Sequence, residues 1–175
     1  MRRSPLKLTT ATLAALMVAG CSSFSKDGGF ADVQGIAKTR VTQDVQWIRS
    51  EDDAARTQAR VKELLASPLT ADSAVQIALL HNRALQATYA ELGISEADLV
   101  QAGRLRNPLF SFARLTRGAE LEIDRAFFVD IMSLITMPLR TDLERRSFEL
   151  TKVRVGAEIV RVAADTRRAY YRAVA

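Results

Sequence analysis

Among side chains that ligate metals or react covalently, this chain of 175 residues has one cysteine, Cys21, and one histidine, His81. A single cysteine can form no internal disulfide. A single histidine excludes a multi-histidine metal site within one chain. His81 stands at the break between two helical patterns, where a lone histidine ordinarily caps a helix or faces solvent. No nucleophile–base–acid set, glycine-rich phosphate loop or metal-ligand spacing occurs. The chain is therefore read as no enzyme, with no catalytic residue, no cofactor and no metal site. The chemistry gathers at Cys21, which follows Val18-Ala19-Gly20. Small side chains in that position let a peptidase grip the backbone closely.

The residues before Cys21 suit an export address. Arg2, Arg3 and Lys7 form a positive start, and Leu8 to Ala19 is an apolar run. That run is too short to span a bilayer as a stable helix but has the length of a signal-peptide core. With Cys21 it resembles a bacterial lipobox, in which the cysteine is lipidated and becomes the new N-terminus. Residues 1–20 are thus expected to be a lipoprotein signal peptide and Cys21 the lipidation site. The alternatives are an ordinary signal peptide with a chance cysteine, or a buried apolar segment. One acyl chain anchors weakly, whereas the several carried by bacterial lipoproteins hold firmly. Ser22 stands where aspartate is the usual inner-membrane retention signal, so the expected location is the outer membrane.

Composition bounds the rest. Hydrophobic residues are 48% of the chain and charged residues 26%, enough to bury a core. Alanine and arginine are abundant and aromatics scarce, which favours helices. The formal charge is +5, but removal of Arg2, Arg3 and Lys7 leaves 22 basic residues against 20 acidic. So even a balance offers no electrostatic case for a nucleic-acid partner.

Beyond Cys21 the pattern predicts four stretches. Residues 21–67 read as an acylated tether and linker. Within them Ser22 to Gly35 is small and polar, Trp47 and Ile48 suit an extended segment packed on the body, and Ala54 to Ala66 has helical composition. Residues 68–106 read as two helices. Thr70 caps the first, His81-Asn82 interrupts, and Asn82 caps a second from about Arg83 to Gly103. In that second helix Leu85, Leu92 and Leu99 recur every seven residues, the coiled-coil period.

Residues 107–136 read as a β-hairpin, LFSFARLTR followed by ELEIDRAFFVDI, turning at Arg117-Gly118-Ala119. Each run has about the 9–11 residues of a tilted strand crossing a bilayer. In the second, Leu121, Ile123, Arg125, Phe127 and Val129 alternate with Glu120, Glu122, Asp124, Ala126, Phe128 and Asp130. Arg125 breaks the apolar face, so it is expected near the bilayer rim or turned away by a bulge. The first run leaves its lipid-facing side open. Residues 137–175 read as one long helix that Pro138 starts. It has two apolar stripes: Leu150, Ala157, Ala164 and Tyr171, flanked by Val153, Val160 and Val174, and separately Phe148, Val155, Val162 and Ala169. Two stripes suit a helix with neighbours on both sides.

Taken in order, the lipobox cysteine, Leu69-Thr70, Ala74-Val75, Ala78-Leu79, Asn82, Leu85, Ala102-Gly103, Asn107-Pro108 and Pro138-Leu139 resemble the outer membrane efflux protein (TolC-like) family. The likeness covers residues 68–175 well and 21–67 more loosely. His81-Asn82-Arg83 departs from the Asn-Pro of many members at the helix break. The resemblance implies a homotrimer whose strands close one outer membrane β-barrel and whose coiled-coil-like helices form a periplasmic α-barrel. It implies a passive conduit for substrates delivered by an inner-membrane pump through a periplasmic adaptor. Two strands leave unpaired edges in lipid, and no helix-stop signal precedes Ala175, so the chain is expected to cover about the first half of a protomer. The rival readings are a periplasmic adaptor (membrane fusion) lipoprotein of such a system and, further off, an exported enzyme.

Overall fold

Three polar residues start three of the helices. Ser50 Oγ accepts the Asp53 N–H at 3.1 Å, and Thr70 Oγ1 accepts that of Ser73 at 3.1 Å while Ser73 Oγ accepts the Thr70 N–H at 2.8 Å. Asn82 Oδ1 takes the N–H groups of Ala84 and Leu85, at 2.9 and 3.2 Å. Each cap satisfies donors that the first helical turn leaves open.

The computed structural model describes residues 23–118 and 120–175. The signal peptide 1–20 and the lipidation site Cys21 lie outside the described residues. The elements run α1 (Phe30–Arg40), α2 (Glu51–Leu65), α3 (Ala71–His81), α4 (Arg83–Ala102), β1 (Leu109–Arg117), β2 (Glu120–Phe128) and α5 (Ile131–Val174). The chain is mainly α-helical with an inserted two-stranded antiparallel sheet. It divides into a helical unit, residues 24–99 with 144–175, and a hairpin unit, residues 100–143.

The core of the helical unit is shared by four helices. Val75 and Leu79 of α3, Leu85, Tyr89 and Leu92 of α4, and Val155 and Ile159 of α5 are all but closed to solvent. Phe30, Val33 and Ala37 of α1 complete it. Burying such side chains contributes about 1.5–3 kcal/mol each for the larger ones. Phe30 meets Tyr89 edge-on, with ring centroids 5.0 Å apart. The Tyr89 hydroxyl has no hydrogen-bond partner, and burial pushes its pKa upward.

Two expectations change. The glycine-containing stretch predicted as a tether carries α1 from Phe30 onward, and that helix is part of the core. Its apolar residues at spacings of three and four form a narrow edge that polar neighbours mask in composition. Gly28 and Gly29 are there for their left-handed backbone, with φ of 67° and 73°, and a side chain at Gly29 would strike Phe148 and Lys152. The long helix does not start at Pro138. It begins at Ile131, seven residues earlier, and Pro138 lies inside it. Asp130 is its cap: Oδ1 accepts the Ser133 N–H at 2.9 Å and the Asp130 carbonyl accepts the Leu134 N–H at 3.3 Å. At 44 residues, α5 extends about 66 Å at 1.5 Å per residue.

In the hairpin unit β1 and β2 pair one residue to one along their whole length, from Leu109 opposite Phe128 to Arg117 opposite Glu120. Of the two alternatives expected for Arg125, the bulge is absent, because every residue of β1 has its own partner. Gly118 takes the turn with φ of 65°, a conformation that costs a non-glycine residue. Among the described residues no further strand joins the pair.

Candidate functional site

The pairing register decides what each face of the hairpin is made of. Directly opposed residues of an antiparallel pair point the same way. Phe110 faces Phe127, Phe112 faces Arg125, Arg114 faces Ile123 and Thr116 faces Leu121. One side therefore gathers Phe110, Phe112, Leu121, Ile123 and Phe127 together with two arginines. The other side sets Leu109, Ser111, Ala113 and Leu115 against Phe128, Ala126, Asp124 and Glu122. The register thus puts Phe110 and Phe112, rather than Leu109, Ala113 and Leu115, on the side of Leu121, Ile123 and Phe127. All five apolar residues of the first side are 44–66% exposed, so nothing in the described chain covers them. Among the described residues neither outer edge of the pair has a ladder partner. At the base of the hairpin Arg106 and Asp130 approach at 3.4 Å, which ties its entry to its exit. Both are exposed, so the pair adds little stability.

On α5 the two predicted stripes separate in role. Phe148, Val155 and Val162 are buried in the core, joined by Ile159 and Ala163, while Ala169 is exposed. The other stripe faces solvent: Leu150, Val153, Val160, Tyr171 and Val174 are 39–66% exposed, with Ala157 and Ala164 exposed between them. Arg167, which interrupts it, pairs with Asp72 at 3.1 Å, and Tyr170 donates to the Leu69 carbonyl at 3.1 Å. These contacts fix the end of α5 to the start of α3. Arg161 and Arg168 are held on their own helix face by Glu158 and Asp165. The hydrogen bond from Arg161 lowers the pKa of Glu158. Glu158 thus pairs with Arg161, and Asp165 with both Arg161 and Arg168.

Between α1 and α2 the chain runs extended, and two glutamines hold it. Gln76 of α3 accepts the Asp44 N–H at 3.0 Å and donates to the Asp44 carbonyl at 2.8 Å. Gln86 of α4 accepts the Ile48 N–H at 2.9 Å and donates to the Gln46 carbonyl at 2.7 Å. Each amide acts as a short piece of strand, giving the strap at residues 44–48 backbone partners it cannot find in a sheet. Trp47 rides on this strap against Phe30, with centroids 5.9 Å apart, and the Arg49 guanidinium lies 5.0 Å from its ring centre. That matches the packing role expected of Trp47. Composition does not announce Gln76 or Gln86, because glutamine is an ordinary helix-surface residue. The Asp130-x-x-Ser133 cap was readable and is masked in sequence by the nearby proline.

His81 is the exposed last residue of α3. Among the described residues no group of three or more histidine, cysteine, aspartate or glutamate side chains could hold a metal. An open cleft of about 460 Å³ beside the strap is lined by Gln34, Gly35, Lys38, Asp44, Val45 and Gln46. Among the described residues no helix is long and apolar enough to cross a membrane. No family model, curated protein or solved structure matches this chain. Among the described residues, the hairpin and the outer stripe of α5 both expose several large apolar side chains.

Proposed function

We propose that this chain is the N-terminal part of an outer membrane channel lipoprotein, a passive conduit in a tripartite export system. The observation that carries the reading is the hairpin with one side rich in aromatic and aliphatic residues beside Arg114 and Arg125, one side that bears the acids, and two edges that find no partner among the described residues. Strands of nine residues are close to the length that crosses the hydrocarbon layer when tilted. An apolar outside and a polar inside are what a barrel wall needs, and lipid penalises the open edges until other strands pair with them. The further strands come from other copies of the chain, as a homotrimer, or from sequence beyond Ala175. The exposed stripe of α5 supports lateral packing of helices in a periplasmic tunnel wall. An inner-membrane pump and a periplasmic adaptor supply substrate, and acylated Cys21 holds the protein to the outer membrane.

Paired cysteine variants test this in cells that have an outer membrane. Phe112→Cys and Ala113→Cys lie on opposite sides of β1. A membrane-impermeant maleimide is expected to label Ala113→Cys in the outer membrane fraction and to leave Phe112→Cys unlabelled. Equal labelling of both would overturn the membrane hairpin. Palmitate incorporation tests the anchor separately, and its persistence in Cys21→Ser would remove Cys21 as the lipid site.

A further inference from the structure

The helical unit holds its own N-terminal end in a fixed place. The Ser25 N–H donates to Glu96 Oε1 of α4 at 2.6 Å, and Glu96 is buried there. Ser25 Oγ then accepts the Gly28 N–H at 3.0 Å, and Asp27 accepts the Ala31 N–H at 2.7 Å. That last bond holds the Asp27 carboxyl below its ordinary range. The turn is closed from beside by Trp47: a Cβ at Gly28 would sit 3.0 Å from the indole and 3.8 Å from Glu96 Oε2. Glu96, Ser25 and Trp47 therefore form one latch that fastens the start of the described chain to α4.

Cys21 precedes Ser25 by four residues. Fully extended, four residues reach about 14 Å. The predicted tether of 21–67, by contrast, would have let the anchor lie over 100 Å from the helices. We propose that the latch turns the lipid anchor into a short leash, which holds the Glu96–Trp47 end of the helical unit against the surface of the bilayer. The occupant of this surface is the phospholipid headgroup layer. Phe24 is 56% exposed beside the latch. Lys26 and Arg49 are exposed around it, and Trp47 is half-buried under Arg49. Asp27, Asp52 and Asp53 lie close in the chain to these two cations, so the contact rests on the short reach and on Phe24, an exposed aromatic of the kind that settles at a membrane interface. The inference rests on the lipidation of Cys21 in the proposed function.

Trp47 is the only tryptophan in the chain, so its fluorescence reports this end directly. The full acylated protein is reconstituted in phosphatidylethanolamine–phosphatidylglycerol vesicles containing a phosphatidylcholine with a nitroxide on its headgroup. Palmitate incorporation is measured on the same preparation. Strong quenching of Trp47 in labelled protein is expected. A flexible Gly-Ser spacer of about eight residues between Ser23 and Phe24 adds up to about 29 Å without touching the latch. It is expected to keep palmitate labelling and to cut the quenching by more than half. Labelled protein whose Trp47 is not quenched overturns the leash while leaving the lipid anchor standing. Undiminished quenching with the spacer overturns the leash as the cause of the contact. Absence of palmitate overturns the anchor, and the leash with it.

Discussion

The Arg140 guanidinium reaches back over Pro138 and donates, through Nη2, to both the carbonyl oxygen and the Oγ of Ser133, each at 2.9 Å. Pro138 has no N–H, so the Leu134 carbonyl loses its helical partner, and the ring crowds that carbonyl. Arg140 ties the turn after the proline to the turn before it. Ser133 is itself held by the Asp130 cap. A helix that a proline would ordinarily end therefore continues, strapped from outside.

Arg140→Met is expected to speed amide exchange at Ser133 to Met137 by an amount equivalent to about 1–2 kcal/mol, the worth of hydrogen bonds from a charged donor. Pro138→Ala restores the missing N–H, so in that background the same substitution should cost less than half as much. Exchange that does not respond to Arg140→Met would show that the strap bears no load.

Lys152 is buried while donating to Asp32 at 2.7 Å and Glu149 at 2.8 Å. Burial works to lower its pKa, but the hydrogen bonds and charges of the two carboxylates outweigh it, and the net shift is upward from 10.5. A lysine whose folded pKa is raised contributes stability that is full below its unfolded pKa and lost as pH climbs through the folded one. Stability should therefore fall above about pH 10.5. Lys152→Met should cost about 1–2 kcal/mol at neutral pH, since both carboxylates are largely exposed and screened, and should flatten the alkaline decline. Urea unfolding at neutral and alkaline pH measures both effects.

Gln76→Leu and Gln86→Leu each remove two hydrogen bonds from the strap at residues 44–48. Each is expected to cost about 1–3 kcal/mol, because backbone groups are left without partners. Gln86→Leu should also shift Trp47 emission to the red and hasten trypsin cleavage at Arg49. Unchanged emission and cleavage would mean that the apolar contacts of Trp47 hold the strap without the amide.

Gly156 lies where a Cβ would come within 2.9 Å of Ile36 Cγ2. Gly156→Ala should destabilise by about 1–3 kcal/mol through overpacking, against the gain of up to about 1 kcal/mol in helix propensity. Ile36→Ala removes the clashing atoms, so the double variant should recover most of the loss in thermal unfolding. Without that recovery, close approach of α1 to α5 would not be the reason for the glycine.

Sequence determined the parts of this protein whose causes are local. Thr70 and Asn82 have side chains that bond the next N–H groups along, so the ends of α3 and the start of α4 could be read from residue type. The nine-residue first strand and its glycine turn were equally legible, as was the seven-residue leucine series, of which Leu85 and Leu92 are buried and Leu99 is half-buried. Three features required the tertiary structure, because their causes lie far apart along the chain. The hairpin register placed Phe110 and Phe112 beside Leu121, Ile123 and Phe127. Packing against α1 and α4 decided that Phe148, Val155 and Val162 face inward, leaving Leu150 and Val153 outside, although the two stripes are equivalent as patterns. The bond from Ser25 to Glu96, 71 positions away, fastens the start of the helical unit to α4. No periodicity in the segment around Ser25 records it, since the groups that bind it belong to another helix.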